Sequence, residues 1–153
     1  MSDYFQPTIR RYLRRWRPTV RPATIQSKHY ALHRFVAYLH EYHPQVRRFT
    51  QIRRHPHIEG WIEQILGLKP VTRNNYIRTL RLFFEDIIRW QWTQAPPPGL
   101  LSNADLAPEE ASLPRPLPPE LDQAVQKAFI EADTFGAMAL LLLRYTGMRL
   151  GEM

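Results

Sequence analysis

Proline placement is the strongest constraint on what this chain can fold into. Eight of its 14 prolines fall between Thr93 and Pro119, among them Pro96-Pro97-Pro98 and the run Pro114-Arg115-Pro116-Leu117-Pro118-Pro119. Proline fixes φ and lacks an N–H donor, so such a stretch stays extended and semi-rigid and cannot continue a helix. It reads as an interdomain linker over residues 95–118, because segments of helical periodicity lie on either side of it. Residues 1–94 then form one domain and residues 119–153 the beginning of another.

Before the linker the apolar residues recur with four helical patterns and no strand alternation. Residues 4–16 make a short, basic, amphipathic segment. A second helix is predicted from Pro22, a residue suited to the first helical turn, to about Tyr42, with Ile25, Leu32, Phe35, Val36 and Leu39 inward. Ile58, Trp61, Ile62, Ile65 and Leu66 repeat at i, i+3, i+4, i+7 and i+8 and define a third helix closed by Gly67 and Pro70. The fourth, about 71–92, buries Tyr76, Ile77, Leu80, Phe83, Phe84, Ile87 and Ile88 and turns Asn74, Asn75, Arg78, Arg81, Glu85 and Asp86 outward. Beyond the linker, a helix over about 119–133 directs Leu121, Val125, Ala128 and Phe129 inward. The apolar run 135–143 that follows lacks a polar face and reads as a core helix.

Charge is unevenly spread along the chain, whose net value is +7. Residues 1–60 carry twelve Lys and Arg against three Asp and Glu, whereas residues 101–153 carry four against eight. A basic body of this kind suits a polyanion, since each neutralised phosphate releases counterions; it also suits a merely well-solvated surface. No cysteine is present, which excludes disulfides, thiol nucleophiles and thiolate metal sites and fits a reducing cytoplasm. The longest apolar run is far shorter than the ~20 residues of a membrane helix, and no secretory signal stands at the front. Six histidines form close pairs (His29/His33, His40/His43, His55/His57) without a third ligand at site-like spacing, so no metal site is assigned.

Within the basic body, Lys28, Arg34, Arg73, Asn74, Asn75, Arg78 and Arg81 are the candidate DNA contacts. Arginine pairs bidentately with guanine and asparagine with adenine, and both hold phosphates, so a helix face opening with Asn74, Asn75 and Arg78 suits a DNA groove. Arg81 has a competing role, because Glu85 stands four residues on. Arg47, Arg48, Arg53 and Arg54 form a basic loop that suits either phosphates or solvent.

The chain closes on Arg144-Tyr145-Thr146-Gly147-Met148-Arg149-Leu150-Gly151-Glu152-Met153. This string resembles the first catalytic-arginine box of the tyrosine recombinases, the phage integrase family. Residues 23–39 (Ala23-Thr24-Ile25, Tyr30, Leu32, Phe35, Tyr38-Leu39), Val71-Thr72-Arg73-Asn74 and Leu80-Arg81-Leu82-Phe83-Phe84 are similar to that family's SAM-like core-binding domain, with Tyr30 one place late. The stretch 114–121 is similar to its entry into the catalytic domain.

The resemblance implies an all-α, four-helix SAM-like core-binding domain, a proline-rich linker, and the first helices of an incomplete mixed α/β catalytic domain. It implies a double-stranded DNA partner, no membrane, no metal or nucleotide cofactor, and a parent enzyme that acts as a tetramer on two duplexes through a covalent phosphotyrosine. Arg149 would grip the scissile phosphate and Glu152 would orient the Arg149 guanidinium by an ion pair, with Thr146 capping the following helix. The family's lysine, His-x-x-Arg box and nucleophilic tyrosine follow the arginine box, so none of the seven tyrosines here is assigned as nucleophile, and these 153 residues are expected to bind DNA without cutting it. Two other readings are a non-catalytic DNA-binding regulator and a helical protein-interaction module.

Overall fold

The computed structural model describes residues 4–108 and 117–147, and the chain divides into two compact units, residues 1–110 and 111–153. The described residues are all-helical, with six α-helices and no strand. In the first unit these are α1 (Gln6–Trp16), α2 (Pro22–Tyr42), α3 (Glu59–Gln64) and α4 (Pro70–Arg89); α5 (Pro119–Ala132) and α6 (Phe135–Thr146) make up the second.

Prolines begin the helices. α2, α4 and α5 each have Pro in the first turn behind an extended residue, Arg21, Lys69 and Pro118 respectively. Proline disfavours helical geometry in the residue before it and has no N–H to leave unsatisfied at a helix start, so these boundaries were readable from the chain itself.

A single core holds the first unit together. Ile9 and Tyr12 of α1, Leu32, Phe35 and Leu39 of α2, Trp61 of α3, and Ile77, Phe83 and Ile87 of α4 are all buried in one cluster. Aromatic edges knit it: Phe35 meets Trp61 at 5.3 Å, and Tyr12 meets Phe83 at 4.9 Å, both T-shaped. That geometry suits ring quadrupoles better than face-to-face stacking.

Several expectations change. The third helix is shorter than its periodicity suggested: 54–58 forms a wider turn, α3 ends at Gln64, and Leu66, past that end, is 55% exposed. Asp86, expected outward, is buried and accepts a hydrogen bond from the Tyr12 hydroxyl at 3.1 Å, with Arg89 3.8 Å away. Burial and the adjacent Asp86 carboxylate push the Tyr12 hydroxyl well above the ordinary phenol range. The third change concerns the linker.

Residues 95–107 are not a free spacer. Leu100 and Leu101 are buried in the same core, with Ala95 and Leu106 packed at its edge. Arg54 holds this segment, donating from Nη1 to the Leu100 carbonyl (3.0 Å) and from Nη2 to Asp105 (2.6 Å), while its Nε meets Glu59 at 3.3 Å. Burial alone would raise the Asp105 carboxyl, but the Arg54 guanidinium and the Ser102 N–H hold it below the usual range. Proline stiffness had suggested extension; the interspersed leucines give the segment a reason to dock. Residues 109–116 lie outside the described part.

In the second unit α5 and α6 pair, with Arg144 gripping Asp122 through two N–H groups and Gln126 hydrogen-bonded to the Tyr145 hydroxyl. Thr134 caps α6 by accepting from the Ala137 N–H, and Gly147 closes it at φ 68°, a left-handed geometry suited to glycine. The apolar run expected as a core helix buries only Ala137 and Leu141 among the described residues, and Phe135 is 87% exposed. Thr146 bonds back to the Leu142 carbonyl at 2.7 Å, as the last residue of α6.

Candidate nucleic-acid interface

Two helices supply the face on which most of the predicted contacts fall. Neither residues 22–40 of α2 nor residues 70–84 of α4 contain an acidic residue, so the polar side chains within these two segments are cationic or neutral. Where they approach, the Tyr30 and Tyr76 rings lie 6.1 Å apart and the Arg34 guanidinium sits 5.7 Å from the Tyr76 centroid. A guanidinium over a tyrosine face is held by the ring quadrupole while its N–H edges stay available to oxygen acceptors. Asn75 and Arg78 are exposed on α4, and Arg73 is half-exposed in the turn before them.

Three of the seven predicted residues have other roles. Asn74 is fully buried: its Nδ2 donates to the Ala107 carbonyl at 2.9 Å, and its Oδ1 accepts from the Ala107 N–H at 2.8 Å. It clamps the passing chain, because a side-chain amide can satisfy both backbone groups of one residue. Arg81 is half-buried, pairs with Glu85 at 3.3 Å and donates to Asn103. Lys28 lies over the Trp16 ring at 5.4 Å, where burial pulls its ammonium below the ordinary value and the Asp86 charge partly restores it. Asn75 and Arg78 are exposed on α4, and Arg73 and Arg34, the latter over the Tyr76 ring, are partly exposed.

The basic loop also divides. Arg53 folds onto its own turn, donating to the carbonyls of Thr50 and Ile52, and Arg54 ties down residues 100–105, which leaves Arg47, stacked on Tyr4 at 5.3 Å, and Arg48 exposed. Of the histidines, His57 is buried and accepts from the Arg53 N–H at its Nδ1 (2.9 Å), His55 contacts Glu59 at 3.1 Å, and His43 meets the Tyr38 hydroxyl at 3.0 Å. Among the described residues no three His, Asp or Glu side chains converge as a metal site would require.

α1 was underread. Its four arginines and Arg17, which follows its last residue, separate by helical phase: Arg11 and Arg15 lie on the Trp92 and Trp90 rings at 4.2 and 4.6 Å, whereas Arg10, Arg14 and Arg17 recur at i, i+4 and i+7. That spacing was present in the sequence and carries the signal. The predicted catalytic pair, Arg149 and Glu152, lies outside the described residues. No helix among the described residues is long and apolar enough to cross a membrane.

With that geometry in place, the chain was compared with protein-family models, curated proteins and solved structures. None of the three gives a significant match.

Proposed function

We propose that the first unit binds double-stranded DNA through the α2/α4 face, as the SAM-like core-binding domain of a tyrosine-type site-specific recombinase. In this reading the second unit begins that enzyme's catalytic domain, and Arg149 with Glu152 belongs to its phosphate-gripping box. The observation that carries DNA binding is the meeting of Arg34 and Tyr76, which joins two acid-free helix segments into one donor-rich surface. Arg34, Arg73 and Arg78 hold phosphates or base edges there, and Asn75 adds an amide able to pair with adenine. The recombinase assignment rests on the arginine-box and core-binding motifs of the sequence.

The test uses the full chain and a fluorescent duplex of about 30 base pairs, with anisotropy read at several KCl concentrations. Arg78→Ala is expected to weaken binding about fivefold or more with unchanged helicity. An affinity equal to that of the unsubstituted chain at moderate salt overturns the assignment of this face.

A further inference from the structure

A second basic surface adjoins the α2/α4 face. We propose that the open groove between α1 and the start of α2 holds the phosphodiester backbone of duplex DNA, gripped by Arg10, Arg14 and Arg17. The inference rests on the DNA reading above and adds a contact surface to it.

The groove has a volume of about 840 Å³ and takes Arg10 and Arg14 from α1, Arg17 from the residue after it, and Gln26 and His29 from α2. Its floor is apolar, formed by residues such as Leu13 and Ile25. All three arginines are exposed, and none is ion-paired to a carboxylate among the described residues. Their charge is therefore uncompensated locally, unlike that of Arg54 or Arg81. The other two α1 arginines, also exposed, lie on the Trp90 and Trp92 rings, so helical phase separates indole-stacked cations from those that line the groove.

Spacing supports a phosphate track. At about 1.5 Å of rise per residue, Arg10 to Arg17 spans about 10.5 Å of helix, a length over which long arginine side chains can reach about two neighbouring phosphates of one strand. A planar guanidinium fork matches two phosphate oxygens at once, and an apolar floor between such forks accommodates sugar carbons. Continuity adds to this. The groove wall ends at His29, and the α2/α4 face begins with Tyr30, the next residue of the same helix. A backbone crossing α2 would thus pass from one surface to the other without meeting an acidic side chain of that helix before Glu41.

The experiment compares two full-length variants that lose the same charge, Arg10→Gln/Arg14→Gln and Arg11→Gln/Arg15→Gln, by anisotropy on the same duplex from 50 to 200 mM KCl, with circular dichroism confirming the fold. Each lost phosphate contact lowers the log-log salt slope by ~0.9. The groove variant should therefore lose about 1.8, making its affinity decline across that range about twelvefold smaller, while the indole-stacked variant changes by less than one. An equal fall in the two variants assigns the effect to net charge and overturns the groove. An unchanged slope in the groove variant also overturns it; a loss on Arg78→Ala would meanwhile leave the DNA reading standing. Absence of salt-dependent binding by the unsubstituted chain overturns both.

Discussion

Replacing Asn74 with alanine separates the structural role of that side chain from the base-reading role its neighbours suggest. The amide makes two hydrogen bonds to the Ala107 peptide, at 2.9 and 2.8 Å, from a fully buried position. At about 1 kcal/mol net apiece, their loss costs ~2 kcal/mol. Ala107 is itself only half-buried, so its released N–H and C=O can turn to water and no orphan penalty is added. Alanine also favours the helix over asparagine by roughly 0.5 kcal/mol, which offsets part of the loss.

The expected net destabilisation is about 1.5 kcal/mol, or ~6–12 °C in Tm for a body of this size. Urea unfolding followed by tryptophan fluorescence measures it cleanly, because all four tryptophans, Trp16, Trp61, Trp90 and Trp92, belong to the first unit's core or its edge. Asn74→Asp should lose more, since it keeps the acceptor but sets a carboxylate against the Ala107 carbonyl. DNA affinity of the folded alanine variant should stay within about twofold of the unsubstituted chain, well below the cost of a lost base contact. A stability change under ~0.5 kcal/mol, coupled with a large loss of DNA affinity, would return Asn74 to the interface and refute the clamp.

Two further outcomes follow from the same body. Burial, and then the nearby His43, Arg53 and His55, hold the His57 imidazole below its ordinary pKa of 6.5, and its Nδ1 must stay bare to accept the Arg53 N–H. The unfolded chain therefore takes up this proton first, so stability should fall as pH drops below 6.5 and level off once the folded ring is protonated. His57→Asn keeps an acceptor without titrating, and urea midpoints from pH 7.5 to 5 should be flatter for it; parallel curves would rule this histidine out as the source. Arg54→Lys cannot reach Glu59, Leu100 and Asp105 together, so amide exchange across residues 100–106 should quicken about tenfold, as expected from ~1.4 kcal/mol of lost hydrogen bonding, with little change in global stability. Equal protection in the two proteins would refute that tether.

Helices were legible where the chain states its own boundaries. Pro22 starts α2 as expected, α4 begins at Pro70, one residue before its expected start at Val71, and ends at Arg89 rather than near Trp92, and the 3.6-residue stripe from Leu32 to Leu39 names buried positions correctly. Side-chain roles were less legible, since periodicity reports a residue's direction on its helix and not what crosses in front of it. Asn74 and Asp86 point away from the apolar stripe, yet Ala107 and Tyr12 meet them from 33 and 74 residues away. The linker misled for a related reason: proline density describes local stiffness, whereas Leu100 and Leu101 respond to a hydrophobic surface assembled from distant helices. Arg34 and Tyr76 came together by the same long-range packing, which no local pattern in either helix announces.

The docked segment 95–107 also sets an order of events during synthesis. A chain emerging from the ribosome completes α1 to α4 before Leu100, Leu101 and Ala107 exist outside the exit tunnel. Until they emerge, part of the core stays uncovered and Asn74 lacks the Ala107 peptide. Domains generally fold as units in N-to-C order, so closure of this one waits for the proline-dense stretch to be translated. That stretch is the last piece of the first unit to be made and the one that seals it.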